Sequence, residues 1–221
     1  MRKKIKVFIV DDHALMRRGL ADLVNGEDDL TVCGEADEAP KALSGISKTA
    51  PDLVIADMSL RGSSGLELIK NVKVLRPDLP ILVLSMHDEN IYAQRVLRAG
   101  AKAYVMKQDA ADRVLQAIRK ILKGEIYVSE RVGTQMLQQI VRGHSPAESS
   151  PVERLSDREL EVVQLIGRGR TTREIAGTLN VSIKTIESHR AHLKEKLDLR
   201  NATELVQFCV QWVEQENAVK H

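Results

Sequence analysis

The stretch VIADMSLRGSSG, residues 54–65, ends an apolar run on a carboxylate and then continues into a glycine-bearing loop. The three residues before Asp57 are typical of a strand that is buried on both faces, as in a parallel sheet. A charged side chain at the tip of such a strand needs a partner or a chemical role, because burying an unpaired charge is costly. Asp57 is therefore the first candidate for a functional residue.

Apolar runs and amphipathic stretches alternate over about the first 123 residues, a pattern typical of a parallel sheet covered on both faces. Strands are predicted at 5–10, 30–35, 52–56, 81–85 and 102–106. Helices are predicted near 14–24, 38–48, 65–75, 89–99 and 110–122. This strict alternation predicts an α/β doubly wound fold of the flavodoxin-like order.

The alternation ends after Gly124. One further helix is predicted at 129–142, and the Gly, Pro and Ser residues of RGHSPAESSPVER, residues 142–154, are typical of a linker. The predicted organisation is a first domain at 1–124, a linker with room for this helix at 125–150, and a second domain at 151–221.

The second domain contains helical patterns only. Ser156 with Glu159, and Thr171 with Glu174, have the spacing of capping boxes, which mark helix starts. A short helix, a turn through Asn180 and a new helix start have the spacing of a helix-turn-helix. The spacing alone is equally compatible with an ordinary helical bundle that does not bind DNA. The last two helices are predicted at 182–197 and 202–215.

The composition limits the class of protein. A chain of 221 residues can form two domains that each bury a core. Residues 168–200 hold eight Lys or Arg against four Asp or Glu, a modest sign of nucleic-acid binding. No stretch approaches the roughly 20 apolar residues of a membrane span. Cys33 and Cys209 match no disulfide or metal spacing. We expect a soluble, cytoplasmic protein with two buried thiols and no membrane partner.

Polar side chains follow four of the five predicted strands. Asp11 and Asp12 come after the first strand and Asp57 after the third, while Ser85 ends the fourth and Lys107 follows the fifth. Because parallel strands of a doubly wound sheet end at one edge, these side chains are expected to meet there. Crowded carboxylates repel unless a cation joins them, and hard oxygen ligands favour Mg²⁺.

This set of groups predicts phosphoryl chemistry. Asp57 can attack a phosphoryl group to give an acyl phosphate, while Lys107 and Ser85 pair with phosphoryl oxygens. Mg²⁺ held by Asp12, Asp57 and, through water, Asp11 would offset charge on those oxygens. Taken singly, each residue also has an ordinary explanation as a turn, cap or solvated residue. Their convergence at one edge favours function.

The first domain resembles a known family in four motifs. VDDH at 10–13, DLVIADMSL at 52–60, VLSMHDE at 83–89 and GAKAYVMKQD at 100–109 look like the receiver domain of bacterial two-component response regulators. The resemblance spans about residues 4–123 and keeps the order and spacing of the motifs. His13, next to the acidic pair, is read as a loop or first-turn residue rather than a ligand.

The resemblance implies a role for each of these positions. The implied roles are phospho-acceptor for Asp57, acidic pair for Asp11 and Asp12, and invariant lysine for Lys107. Ser85 is implied as hydroxyl donor and switch residue, Tyr104 as the switching aromatic, and the backbone carbonyl of Ser59 as a ligand of the metal. Receivers often have a proline four residues after the acceptor, where this chain has Arg61, so that loop is expected to be more mobile than usual.

The predicted helix SIKTIESHRAHLKEKL, residues 182–197, has two different faces. At helical spacing one face is core and the other is small, polar and partly basic. The predicted core residues are Ile183, Ile186, Leu193 and Leu197, with Arg190 near the edge of that face.

Residues 155–206 strongly resemble the LuxR-type DNA-binding domain, and with the receiver they indicate the NarL/FixJ class of response regulators. The resemblance implies that base edges or nearby phosphates are met by Lys184, Thr185, Glu187 and Ser188, and a phosphate by His189. Glu187 stands where basic residues are common, and it could accept a hydrogen bond from a cytosine amino group.

The sequence therefore predicts a phosphorylation-controlled, DNA-binding transcription regulator. Its expected partners are a sensor histidine kinase, double-stranded DNA, a second copy of the chain when phosphorylated, and RNA polymerase. One alternative is a Mg²⁺-dependent phosphatase or hydrolase that uses an aspartate nucleophile. The other is a receiver-type regulator that works without phosphorylation. Stoichiometric phosphoryl uptake distinguishes the regulator from an enzyme that turns over.

Overall fold

The computed structural model describes residues 4–60, 63–109, 111–142 and 151–218. The chain divides into two compact units, Met1–Gln138 and Gln139–His221. Residues 61 and 62 of the loop predicted to be mobile, and residues 143–150 of the predicted linker, lie outside the described residues.

The first unit is built on a five-stranded parallel sheet. Its strands are β1 (Ile5–Val10), β2 (Leu30–Ala36), β3 (Leu53–Asp57), β6 (Ile81–Ser85) and β7 (Ala103–Met106). They lie in the order β2-β1-β3-β6-β7, which confirms the flavodoxin-like prediction. The sequence did not predict the short antiparallel pair of β4 (Ser59–Leu60) and β5 (Ser63–Ser64), which follows β3.

Six helices accompany the sheet, close to their predicted positions: α1 (Ala14–Asn25), α2 (Ala39–Thr49), α3 (Gly65–Leu75), α4 (Glu89–Arg98), α5 (Ala111–Leu122) and α6 (Glu130–Arg142). The middle strands β3 and β6 are buried throughout, because helices cover both faces of the sheet. The edge strand β2 is less covered, so Cys33 is only half-buried and the prediction of two buried thiols is correct for Cys209 alone.

The second unit is helical throughout its described part. After a 3₁₀ turn at Pro151–Arg154 come α7 (Asp157–Gly167), α8 (Thr172–Thr178), α9 (Ile183–Lys196) and α10 (Ala202–Ala218). Both predicted capping boxes are formed, at the starts of α7 and α8. Asn180, in the predicted turn, has a positive φ of 51°. The last residues of the stretch at 142–154 belong to this 3₁₀ turn and not to a linker, because Val152 in the turn is buried.

Close contact between α7 and α10 holds this bundle together. A Cβ added at Gly167 would lie 2.3 Å from the backbone oxygen of Cys209, so only glycine fits there. Among the described residues, no helix has the length and apolar character needed to cross a membrane.

Candidate functional site

Three carboxylates converge at the carboxyl ends of β1 and β3. Asp11 is 1% exposed and Asp57 is 2% exposed, and Asp12 lies beside them. One oxygen from each of the three, together with Nδ1 of His13, lies within 4.8 Å of all the others. Carboxylate oxygens are hard ligands, so this donor set suits a cation such as Mg²⁺. The convergence predicted from the strand ends is present.

Lys107 is the counter-ion of this cluster. Its Nζ lies 2.8 Å from Oδ2 of Asp11 and 2.8 Å from Oδ2 of Asp57, and its side chain is only 5% exposed. Its backbone N–H donates to the carbonyl of Ser85 at 2.8 Å, which ties the lysine to the end of β6. Two strand ends thus fix the position of the ammonium group.

Burial shifts the pKa of both partners in the contact between Asp57 and Lys107. Burial raises the pKa of Asp57, and the ammonium of Lys107 opposes that rise without cancelling it. Burial lowers the pKa of Lys107, but hydrogen bonds to Asp11 and Asp57 outweigh it, so the pKa is raised overall. The lysine therefore stays charged at neutral pH, as two buried carboxylates require.

Two nitrogen-bearing side chains near Asp11, those of His13 and Arg17, were not assigned to the site from the sequence. His13 caps the start of α1, as expected, and its Nδ1 lies 2.8 Å from Oδ1 of Asp12. Arg17 donates to the backbone carbonyl of Asp11 at 2.6 Å and pairs with Glu35 at 3.1 Å. The sequence places Arg17 one turn into a helix, and no pattern marks it as a neighbour of the cluster.

The loop after β3 folds closely around Asp57. The backbone N–H of Ser59 donates to Oδ1 of Asp57 at 3.1 Å. A Cβ added at Gly65 would lie 2.6 Å from Cα of Met58, so α3 can begin this close to the loop only with glycine. The metal-ligand role of the Ser59 carbonyl stays a prediction.

Ser85 and Tyr104, the two predicted switch residues, meet at His87. Ser85 is fully buried and its Oγ accepts from the backbone N–H of His87 at 2.9 Å. Tyr104 is 1% exposed and its hydroxyl donates to the carbonyl of His87 at 2.8 Å. The His87 ring is buried against Tyr92, with ring centroids 4.9 Å apart, and its Nε2 lies 2.9 Å from Oγ of Ser59.

The sequence did not single out His87, although it stands two residues after Ser85 in VLSMHDE. A histidine in a loop is usually exposed to solvent, and only the packing of this loop buries it. It therefore joins the acidic cluster to the switch residues without a sequence signal of its own.

In the second unit, α9 has the two faces predicted for it, with one correction. Ile186 and Leu193 are fully buried and Leu197 is half-buried. Ile183, predicted as core, is 43% exposed, because this first residue of the helix lies one turn ahead of the part that the bundle covers. Arg190 is half-buried and lies near Cys209, in keeping with its place at the edge of the core face.

The opposite face of α9 is open to solvent at four of the five predicted DNA-contacting positions, namely Lys184, Thr185, Glu187 and Ser188. The fifth, His189, is half-buried on the side of α7. Burial and the nearby Arg158 lower the pKa of His189 from its usual 6.5, so its ring is neutral at pH 7.

Comparison with known proteins finds a matching family for each of the two units. Residues 7–119 match the response regulator receiver domain, and residues 153–209 match the luxR family of bacterial regulatory proteins. The oxygen regulatory protein NreC of Staphylococcus haemolyticus is 37% identical over 210 residues, which cover 93% of this chain and 97% of NreC.

Solved structures of the regulator RcsB are similar over nearly the whole chain. RcsB of Salmonella enterica serovar Typhimurium, bound to promoter P1flhDC in the presence of the phosphomimetic BeF3−, is 28% identical with a TM-score of 0.68, covering 94% of this chain and 98% of RcsB. A structure of two RcsB dimers bound to two parallel DNAs is 29% identical with a TM-score of 0.57, covering 93% and 98%.

The combination of units bears on two of the classes considered above, the DNA-binding regulator and the hydrolase. A receiver joined to a LuxR-type domain makes this chain a DNA-binding regulator rather than a stand-alone hydrolase. The chain belongs to the NarL/FixJ-type two-component response regulators, which control transcription.

Proposed function

We propose that Asp57 accepts a phosphoryl group from a sensor histidine kinase and that this modification controls DNA binding by the second unit. The observation that carries the proposal is the bridging position of Lys107, 2.8 Å from both Asp11 and Asp57 in a buried cluster. A buried cation beside a nucleophilic carboxylate is suited to take up the charge of an incoming phosphoryl group.

The transfer is a displacement at phosphorus. An oxygen of Asp57 forms the new O–P bond while the N–P bond of the kinase phosphohistidine breaks, and the departing ring nitrogen keeps the electron pair. Lys107 pairs with one phosphoryl oxygen and thereby leaves its carboxylate partners. Ser85 accepts from the backbone N–H of His87 and keeps its own O–H as a donor to a second oxygen.

Mg²⁺ fits the donor set of this edge. Asp11, Asp12, Asp57 and the backbone carbonyl of Ser59 would hold it, and the carboxylate oxygens already lie within 4.8 Å of one another. When bound, the ion supplies positive charge to the phosphoryl oxygens. The role of the chain itself is to keep these carboxylates ionised and oriented, which Lys107 and the Ser59 N–H promote.

The test is intact mass after incubation with acetyl phosphate and Mg²⁺. We expect one phosphoryl group per chain, labile to hydroxylamine, and none on the Asp57→Asn variant. Continued release of phosphate from a generic ester would favour a hydrolase. A folded protein whose mass does not change would favour the regulator that works without phosphorylation.

We infer that α9 enters the major groove of double-stranded DNA through Lys184, Thr185, Glu187 and Ser188, with His189 near a phosphate. The exposure of the first four residues supports this, as does the likeness to promoter-bound RcsB. The RcsB dimers on DNA support a homodimer here as well. Contact with RNA polymerase and a cytoplasmic location stay predictions from the sequence.

A further inference from the structure

His13 contacts the acidic cluster through both its backbone and its ring. Its backbone N–H donates to Oδ1 of Asp11 at 2.7 Å. Its Nδ1 lies 2.8 Å from Oδ1 of Asp12, 3.5 Å from Oδ1 of Asp11 and 4.0 Å from Oδ2 of Asp57. The side chain is 68% exposed and makes no capping hydrogen bond at the start of α1. The ring nitrogen therefore lies on the solvent side of the three carboxylates, where a ligand can reach it.

The separations of Nδ1 from the carboxylates are those of ligands around one metal ion. Bonds of about 2.1 Å in an octahedron put neighbouring ligands about 3.0 Å apart and opposite ligands about 4.2 Å apart. The shortest contact of Nδ1, to Asp12, is close to the first value, and the longest, to Asp57, is close to the second. A hydrogen bond accounts for the contact with Asp12 alone, whereas a shared cation accounts for the whole set.

The charge of the cluster suits a divalent ion with one neutral ligand. Its three carboxylates are opposed by one ammonium, that of Lys107, which leaves two negative charges. The guanidinium of Arg17 is paired with Glu35, outside the three carboxylates. A divalent cation neutralises the two remaining charges and relieves the repulsion between the carboxylates. A neutral imidazole adds a donor atom without adding charge, so His13 completes the set without overcompensating the ion.

An imidazole ligand changes which ion a site prefers. Mg²⁺ is a hard ion that takes oxygen ligands and keeps several waters. Divalent ions of the first transition row also accept nitrogen, and their affinity for such sites generally rises from Mn²⁺ through Co²⁺ to Ni²⁺. A nitrogen beside three carboxylates therefore favours these ions over Mg²⁺.

We propose that His13 is a metal ligand through Nδ1, and that its nitrogen gives this site a preference for first-row transition ions such as Mn²⁺ and Co²⁺ over Mg²⁺. The inference rests on the metal site of the proposed function, the carboxylates of Asp11, Asp12 and Asp57. Nδ1 takes the place of a water that Mg²⁺ keeps. The position of His13 in the sequence is that of a loop or first-turn residue, and the two roles are compatible because its backbone begins the helix while its ring binds the ion.

Bound Mn²⁺ reports a nitrogen ligand directly. The unphosphorylated full chain is labelled with ¹⁵N in its histidines only and mixed with equimolar Mn²⁺. We expect pulsed electron paramagnetic resonance to show the coupling of a directly bound ¹⁵N, and we expect His13→Ala to lack it. The matched control is His192→Ala, which removes an exposed imidazole from α9 and should keep the coupling.

Affinity gives a second readout. Co²⁺ and Mg²⁺ are each titrated calorimetrically into the wild type, His13→Ala and Asp12→Asn. His13→Ala should lower the affinity for Co²⁺ by at least about tenfold and that for Mg²⁺ by less than about twofold, since the loss of even an outer-shell partner typically costs tenfold or more. Asp12→Asn should lower both affinities, because it removes a ligand that the two ions share. Thermal unfolding without metal checks that each variant is folded.

The outcomes separate the role of His13 from the proposed function. Bound Mn²⁺ without coupling to a histidine nitrogen would overturn His13 as a ligand and leave the carboxylate site intact. Coupling that persists in His13→Ala, or an equal loss of Co²⁺ and Mg²⁺ affinity in that variant, would overturn it as well. Failure of every ion to bind the folded wild type would overturn the metal site together with this inference. None of these measurements uses a phosphoryl donor, so the acceptor role of Asp57 is decided separately by intact mass.

Discussion

The imidazole Nε2 of His87 lies 2.9 Å from the hydroxyl oxygen of Ser59, and this contact joins the loop after β3 to the loop after β6. Ser59 also donates its backbone N–H to Asp57, and His87 contacts both Ser85 and Tyr104 through its backbone. The two loops on either side of Asp57 are thus coupled directly, before any ligand binds.

Two intrinsic probes distinguish the units in unfolding experiments. All three tyrosines, Tyr92, Tyr104 and Tyr127, lie in the first unit, and the single tryptophan, Trp212, lies in the second. Tyrosine and tryptophan fluorescence in urea therefore report the two units separately.

Ser59→Ala is expected to lower the free energy of unfolding of the first unit by about 0.5–1.5 kcal/mol, because it removes the hydrogen bond between the Ser59 hydroxyl and the His87 ring. The measurement is urea unfolding followed by tyrosine fluorescence. The control is Ser47→Ala, an exposed serine on α2, which should change the value by less than about 0.5 kcal/mol. Equal values for the two variants would show that the loop-to-loop contact is not stabilising.

Lys107→Met is expected to lower the free energy of unfolding of the first unit by about 3–5 kcal/mol in Mg²⁺-free buffer, because two buried carboxylates lose their cation. Added Mg²⁺ should then stabilise the variant more than the wild type, since the lysine no longer competes for the same carboxylates. Thermal unfolding with and without Mg²⁺ measures this difference. Lys48→Met, at an exposed position of α2, is the control. An equal response to Mg²⁺ in variant and wild type would contradict the prediction.

Glu159→Gln is expected to destabilise the second unit at pH 7 by about 1–3 kcal/mol, because Glu159 accepts from Ser156 and from Lys196 at 2.7 Å. Burial raises the pKa of Glu159, but these donors outweigh it, so the pKa lies below the usual 4.5.

The sign of the pH dependence follows from that shift. A carboxyl group with a lowered pKa in the folded state stabilises the fold above pH 4.5 and ceases to do so as the pH falls through its folded value. In the wild type, the second unit should therefore lose stability below about pH 4.5, as followed by tryptophan fluorescence. The Glu159→Gln variant should lose less stability over the same pH range. Glu195→Gln, at an exposed position of α9, should behave like the wild type. Parallel acid profiles for Glu159→Gln and wild type would refute this role.

Lys184→Ala, on the exposed face of α9, should affect DNA binding and not folding. If Lys184 meets a base, the variant should bind the DNA upstream of its own gene more weakly by about 1–3 kcal/mol, without a change in the tryptophan unfolding curve. A residue that contacts phosphate should instead lower affinity evenly across sequences and flatten the salt dependence. The measurement is a titration of the full chain at two salt concentrations, with Ser188→Ala beside it.

Ile186→Ala, on the buried face of the same helix, should instead lower the free energy of unfolding by about 2–5 kcal/mol. Tryptophan fluorescence in urea checks this value. If Lys184→Ala and Ser188→Ala stay folded and bind DNA as tightly as the wild type, α9 is not the recognition helix.

The local patterns of this sequence were sufficient to predict the elements. The strands at 5–10 and 81–85 were predicted to the residue, and the capping boxes marked the starts of α7 and α8. The spacing of apolar side chains, the capping residues and the glycines are local signals, because each depends on residues close by in the chain. They can therefore be recognised in the sequence before the fold is known. The convergence of Asp11, Asp57 and Lys107 was predictable too, because all strands of a parallel sheet end at one edge.

Only the tertiary structure decided which polar groups of the loops became partners. The burial of His87, its contact with Ser59, and the pairing of Tyr127 with β7 join residues that are far apart in sequence and belong to irregular segments. The exposure of Ile183 likewise depends on where the bundle ends, since its position on the helical wheel is that of a core residue. The sequence by itself therefore determined the elements and the chemistry at the sheet edge. Packing between distant segments determined how that chemistry connects to the rest of the receiver unit, because burial and long-range hydrogen bonds exist only once the chain is folded.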